Sequence, residues 1–261
     1  MSTPVTVERR GAVLMIGVNR PEKRNAFNLA VLDAFAAAYE QFADDAEARV
    51  AVVFGHGEHF SAGLDLAEVG PAVAEKGPQA LGGGHRFDPW GMWGPQVPKP
   101  VVLAVSGISF TLSIELALAS DIVVASETVR FRQLEISRGI IPSGGATMRG
   151  PARLGWGNAM RFLLTAEEFG AAEALRIGLV QEVTPPGKHV ERALVIAEMI
   201  ARQAPLGVRG TLESARIYDA QGAAAATDHL RGQLTKLLTS EDAAEGVQSF
   251  VERREAVFKG R

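Results

Sequence analysis

From Val101 to Ala125 the chain is predominantly apolar, and its only charged residues are Glu115 and Asp121. A run of this kind must be buried, either in a bilayer or in a protein core. Pro100 at its edge, Gly107 within it, several serines and the internal Glu115 favour the core. The expected layout is a strand over Val101–Val105, a helix over Leu112–Ala119 and a strand over Ile122–Ala125. A carboxylate placed in that helix costs stability unless it is paired or used for chemistry. Desolvation raises its pKa toward neutrality, where a carboxyl group can both give and take protons. Glu135 follows 20 residues later (135 − 115), just before the Gly/Pro-rich turn Gly139–Gly145. Two such groups converging on one pocket could add or remove water with neither metal nor redox cofactor. The plainer alternative is a glutamate that snorkels or pairs with an arginine.

The flanking sequence reads as an α/β domain. Val5 and Val7 alternate with polar residues, Arg9–Arg10–Gly11 supplies a turn, and Ala12–Val18 returns as the second strand of a hairpin. Leu29, Leu32, Phe35, Ala36, Tyr39 and Phe42 fall at helical spacing, and Val50–Phe54 is a short buried strand. Gly70–Pro100 reads as a long loop with at most one short helix. Thr165 and Glu168 have the spacing of a capping box opening a helix that Gly178 ends, and Leu179–Val183 is a last strand. From about His189 the chain is helical, with Ser240 as the N-cap of the final helix. This divides it into an α/β body over 1–200 and a helical region over 201–261.

Composition excludes several kinds of chemistry. The chain has no cysteine, so disulfides, thiolate catalysis and cysteine-based zinc sites are ruled out. Its five histidines lack metal-ligand spacing, so no metal site is expected. A net charge of −3, with no basic stripe, gives no reason to expect nucleic acid. Met1–Val7 lacks the pattern of a secretory signal, so a cytoplasmic location without membrane attachment is expected. Gly82–Gly83–Gly84 has no following Lys-Ser/Thr and is not a phosphate loop. Ser109 lacks the second glycine of a nucleophile elbow.

Two strand ends could leave backbone N–H groups free to bind a developing oxyanion: Phe60–Leu66 after the Val50–Phe54 strand, and Gly107–Leu112 after the Val101–Val105 strand. Asn19–Arg20–Pro21 with Asn25–Ala26–Phe27, Phe60–Leu66, Glu115–Asp121 and Phe131–Ile136 with its following glycines occur in an order that resembles the crotonase (enoyl-CoA hydratase/isomerase) superfamily. Ala171–Ala174 with Gly178–Leu179–Val180, and the ending Phe250–Arg261, extend the resemblance over essentially the whole chain. It implies a spiral of ββα units with a C-terminal helical trimerisation region, self-association as trimer or hexamer, and an acyl-CoA substrate with no separate cofactor. Carried over residue by residue, Glu115 and Glu135 are the catalytic pair, and the N–H groups of Leu64 and Leu112 form the oxyanion hole. Ala26, Ala62, Gly63, Asp65, Leu66 and Ala67 line the substrate site, and Phe258 and Lys259 approach the adenine end of CoA. His85, Arg86, Asp88 and Trp90 fall in the variable loop near the acyl pocket.

The reaction implied is reversible hydration of a 2-enoyl-CoA to the 3-hydroxyacyl-CoA. Glu115 activates water for attack at C3, and Glu135 protonates C2. An isomerase needs only one carboxylate, so the retained pair favours hydration. A weakly active scaffold or RNA-binding member is the remaining alternative. The chain departs from the pattern at Thr111–Leu112–Ser113, where hydratases usually carry three glycines, and at Leu134, commonly proline. Leu112 keeps its N–H but brings side-chain bulk toward the thioester.

Overall fold

The computed structural model describes residues 3–81 and 84–261. Met1 and Ser2, which begin the segment read for a secretory signal, and Gly82–Gly83 of the glycine run lie outside the described residues. A hairpin opens the chain, β1 (Val5–Arg10) pairing antiparallel with β2 (Val13–Val18). The strand runs through Arg10, so the turn is Gly11–Ala12, one step later than expected; Gly11 supplies the positive φ of 59°. Helix α1 (Leu29–Asp44) starts at Asn28, whose side chain accepts from the Val31 N–H. β3 (Val50–Gly55), β4 (Val101–Val105), β6 (Ile122–Ser126) and β9 (Glu182–Thr184) then add in parallel, giving a six-stranded sheet in the order β1-β2-β3-β4-β6-β9.

Both faces of this sheet are covered, which is why its central strands read as unbroken apolar runs. Leu14, Ile16, Ala51, Val53, Leu103 and Val105 face the main core with α1 and α3 (Leu112–Ala119). Met15, Val52, Val102, Ala104 and Val124 face the other way, onto Ala193 and Ala197 of α7 (His189–Ala201). The Val101–Ala125 run is thus interior strand and helix. Among the described residues no helix is long and apolar enough to cross a membrane. Asp121, the second charge in that run, is structural: its carboxylate accepts the Val101 N–H at 2.8 Å and meets Arg216 at 3.4 Å.

A second, three-stranded sheet was not expected. β5 (Ile108–Phe110), β7 (Arg130–Arg132) and β8 (Phe169–Gly170) form it; α4 (Ala146–Leu154) and α5 (Trp156–Thr165) lie between β7 and β8 in the chain, and Phe162 of α5 packs on Phe169. This sheet overturns the capping box at Thr165. That residue ends α5, its hydroxyl donating to the Arg161 carbonyl, while Arg130 holds Glu168 at 2.7 Å. Phe169, stacked with Phe131, draws the chain into β8 before α6 (Ala171–Arg176) begins. Leu179 and Val180 are not strand either; their N–H groups bond back to the Ala174 carbonyl, and pairing starts only at Glu182.

Between β3 and β4, α2 (Leu66–Lys76) continues through Gly70 and Pro71; it is the short helix that the loop reading allowed, but it begins before Gly70. After α7, helix α8 (Pro205–Leu238) breaks at Gly222 (φ 81°), and its second half turns back on the first. Ser240 caps α9 (Glu241–Glu252) by accepting the Ala243 N–H at 3.0 Å.

Candidate active site

The site forms where three chain segments converge beyond the C-terminal ends of β2, β3 and β4. Asn25 organises the first contact. It is fully buried with φ 53°, its carboxamide oxygen accepting the Arg20 N–H while its nitrogen donates to the carbonyls of His56 and His59. This stitches the chain after β2 to the chain after β3. The Phe27 N–H bonds to the Gly63 carbonyl, and the Asp65 N–H to that of Phe27. Ser61, also fully buried, holds the same segment to the next one. Its N–H bonds to Ile108, its carbonyl accepts from Phe110 N and Ser113 Oγ, and its hydroxyl accepts the Gly63 N–H.

The N–H groups of Leu64 and Leu112 are left unbonded to any other described residue. Both line one small cavity, together with Gly144, Ser143 and Trp90. Leu112 is the first residue of α3, where a helix has spare donors. Its approach is unusual: Thr111 sits at φ 50°, ψ −113°, a region where a β-branched residue is strained. Opposite it, Gly63 has φ 91°, and a Cβ there would lie 1.8 Å from the Thr111 hydroxyl oxygen. The Trp90 indole donates to the Leu112 carbonyl at 3.0 Å, tying the long loop to the start of the helix.

Glu115 lies one turn into α3 and is 1% exposed. Its Oε1 accepts the N–H groups of Gly144 at 2.7 Å and Ala146 at 3.2 Å. Burial raises its pKa, and these two donors with the Arg149 charge work against that rise. A Cβ on Gly144 would stand 2.7 Å from Oε2, so glycine is what allows the turn to close on the carboxylate. Glu135 opens a short 3-10 turn (Glu135–Arg138) ended by Gly139 at φ 74°. Burial first, and then the charge of Glu115, push its pKa up to about 7. Its Oε1 accepts from Gln133, whereas its buried Oε2 has no partner among the described residues. The two carboxyls are therefore electrostatic neighbours in apolar surroundings, one held by backbone donors and the other poised near neutrality.

The remaining expected residues divide into two groups. Ala26, Ala62 and Gly63 lie in the paired segments that present Leu64, and Leu66 and Ala67 begin α2 just beyond. Asp65 is already engaged, its carboxylate meeting Arg20 at 2.7 Å. Phe258 and Lys259 lie elsewhere. The Phe258 carbonyl accepts from Arg49, and Lys259 lines a cleft with Arg49, Lys99 and Arg209. Arg49 and Lys99 precede β3 and β4, so that cleft is at the opposite end of the sheet from Leu64 and Leu112. Within one chain it cannot join the carboxylate pair.

Residues 8–261 match the family model described as enoyl-CoA hydratase/isomerase. The chain belongs to that family. It is 35% identical over 255 residues to the 2,3-dehydroadipyl-CoA hydratase of Escherichia coli (strain K12), covering 98% of each chain. It is equally 35% identical, over the full length of both, to the carnitinyl-CoA dehydratase of Salmonella heidelberg (strain SL476). Among solved structures, a probable enoyl-CoA hydratase/isomerase from Mycobacterium abscessus superposes with a TM-score of 0.95 at 50% identity, covering 99% of both chains. The enoyl-CoA hydratase of Bacillus anthracis gives 0.91 at 29% identity, covering 99% of this chain and all of that one. The crotonase fold expected from the motifs is therefore established for this family member, as is its place in CoA-thioester metabolism.

Sequence reasoning missed the residues that support this pair. Gly144 and Ala146 supply the donors to Glu115; the Gly/Pro-rich turn was noticed, but nothing in it marks which N–H groups face inward. Arg149, partly buried and without a carboxylate in ion-pair range among the described residues, reaches the carbonyls of Gly91 and Gly144 at 3.4 Å and the Met92 sulfur at 4.0 Å. Asp88 accepts three backbone N–H groups, from Trp90, Met92 and Trp93, and so shapes the loop that carries Trp90.

Proposed function

We propose that this protein reversibly hydrates a 2-enoyl-CoA to the 3-hydroxyacyl-CoA. The observation that carries the reading is the pair Glu115 and Glu135, differently held beside two free backbone donors. The thioester carbonyl accepts from the N–H groups of Leu64 and Leu112, which stabilise the enolate oxygen as charge moves onto it. Glu115, fixed by Gly144 and Ala146, orients a water molecule and takes its proton as the oxygen bonds to C3. Glu135, with a pKa near 7, is protonated often enough to deliver its proton to C2. The C2–C3 double bond is consumed and no electrons leave the pair of reactants. In the reverse direction the same groups exchange roles.

Loss of the conjugated enoyl-thioester absorbance on adding crotonyl-CoA is the expected result. Appearance of that absorbance from a 3-enoyl-CoA, with no hydration, would replace the reading with double-bond isomerisation. Silence toward both would leave a scaffold.

The same proposal includes self-association. Phe250 of α9 is 84% exposed, and Val247, Val251 and Leu238 are also bare. So much apolar surface on the helical region suits contact with further copies. Because Phe258 and Lys259 lie at the far end of the sheet from the carboxylates, a CoA held at Leu64 and Leu112 could meet them only on another copy. Light scattering should give a trimer or hexamer; a stable monomer at micromolar concentration would contradict the assembly.

A further inference from the structure

A cavity of about 270 Å³ continues from the oxyanion donors, sharing Leu32, Leu81, Asp88, Trp90 and Trp93 with the small cavity that holds Leu64 and Leu112. Its apolar floor comes from α1, but its charges are unbalanced. Asp33 projects into it from α1 with a side chain 78% exposed. Asp88 stands where the two cavities join, fixed as an acceptor by the N–H groups of Trp90, Met92 and Trp93 at 2.7–2.9 Å. Among the described residues of the lining the one basic side chain is His85, and it is already committed. Its Nε2 lies 3.0 Å from Asp33, and its Nδ1 lies 3.3 Å from Glu40, in ion-pair range but off-line for a hydrogen bond. The Asp33 contact raises the His85 pKa, so the ring is consumed in balancing carboxylates rather than available to a ligand. Arg86 pairs with Asp44, outside the lining, and Arg149 is turned to the carbonyls of Gly91 and Gly144. With Asp33 and Asp88 in the lining and no more than one positive charge on His85, the lining is net anionic, and Trp90, Trp93 and Phe87 add aromatic surface.

We propose that this cavity takes an acyl tail ending in a cation, tolerates a neutral tail and turns away one ending in carboxylate; this rests on reading the site as that of an acyl-CoA hydratase. A carboxylate entering here meets two carboxylates and no free partner. That like-charge contact is the kind of repulsive element by which sites discriminate. A quaternary ammonium gains the same charges as attraction and can use the aromatic rings.

The test is a matched trio of 2-enoyl-CoA thioesters of equal length, ending in methyl, carboxylate and trimethylammonium. The carboxylate-ended thioester should have a kcat/KM about tenfold or more below the methyl-ended one, and the trimethylammonium-ended one should equal or exceed both. Asp33→Lys, at an exposed position where folding is not at stake, should narrow the gap or reverse it. Equal rates across the trio, a preference for carboxylate, or a gap unmoved by Asp33→Lys would overturn the assignment. Calorimetric Kd values for the saturated, unreactive trio separate the two readings. If neither the trio nor crotonyl-CoA is hydrated while the saturated thioesters keep the charge order, hydration fails and the cavity assignment stands. If crotonyl-CoA is hydrated but the saturated thioesters show no charge order, the reverse holds.

Discussion

Replacing Glu135 with glutamine removes a carboxyl that burial and Glu115 push from 4.5 up to about 7. The folded protein holds this proton over an interval where the unfolded chain has released it. The folded state's advantage from that proton is complete below 4.5 and gone above about 7, so it is lost as pH rises. At about 1.4 kcal/mol per pH unit, the interval from 4.5 to about 7 amounts to about 3 kcal/mol, reduced to about 2 kcal/mol by water reaching a side chain that is not fully enclosed. Glutamine is neutral at every pH and escapes the cost. Urea unfolding at pH 4.5, 6, 7 and 8, at one fixed protein concentration, should show Glu135→Gln gaining about 2 kcal/mol on the wild type across that range. Turnover on the true substrate should fall about 10²–10⁴-fold over the same series. A stability difference that stays flat with pH would mean that Glu135 is not held near neutrality. The assignment of its role as proton donor would fall with it.

Four further substitutions, at three residues, probe the same site. Gly144→Ala places a methyl group 2.7 Å from Glu115 Oε2; the displaced carboxylate should cost about 100-fold in kcat with the fold intact by circular dichroism. Leu112→Gly keeps the N–H and removes bulk, so rates on straight-chain enoyl thioesters should hold or rise. Leu112→Pro deletes the donor and should cost about 3–4 kcal/mol of transition-state stabilisation, with a melting curve as the folding control. Thr111→Gly relieves a backbone strain of about 1–3 kcal/mol at φ 50° while adding about 1 kcal/mol of chain entropy to the unfolded state; its melting temperature should hold or rise slightly.

The burial of Glu115 is legible in the sequence because the residues around it are predominantly apolar on every side of the helix, and it is 1% exposed in the fold. The strands Val101–Val105 and Ile122–Ser126 and helix Leu112–Ala119 are legible for the same reason: elements buried all round announce themselves by composition. What depends on distant partners is not. β5, β7 and β8 are two or three residues long and exist only because they pair across 22 (130 − 108) to 40 (170 − 130) residues of chain, too short and too remote for any periodicity to register. Thr165 and Glu168 meet the local rule for a helix start, and the tertiary pull of Arg130 and buried Phe169 overrides it. α2 shows the converse, its helical spacing masked by Gly70 and Pro71. The carboxylate of Asp65 looks available until Arg20, 45 residues away, is brought against it.

The bond from the Trp90 indole to the Leu112 carbonyl has a kinetic consequence. Trp90 lines both of the joined cavities, and in the proposed reaction Leu112 presents a donor to the reacting carbonyl. A tail that packs against Trp90 therefore steadies the residue that stabilises the enolate. Binding energy gained far from the double bond is then spent at the transition state rather than on affinity alone. Lengthening the acyl group from crotonyl until it fills the cavity should raise kcat as well as lower KM, and Trp90→Phe, which deletes the indole N–H, should leave the KM trend while flattening that of kcat.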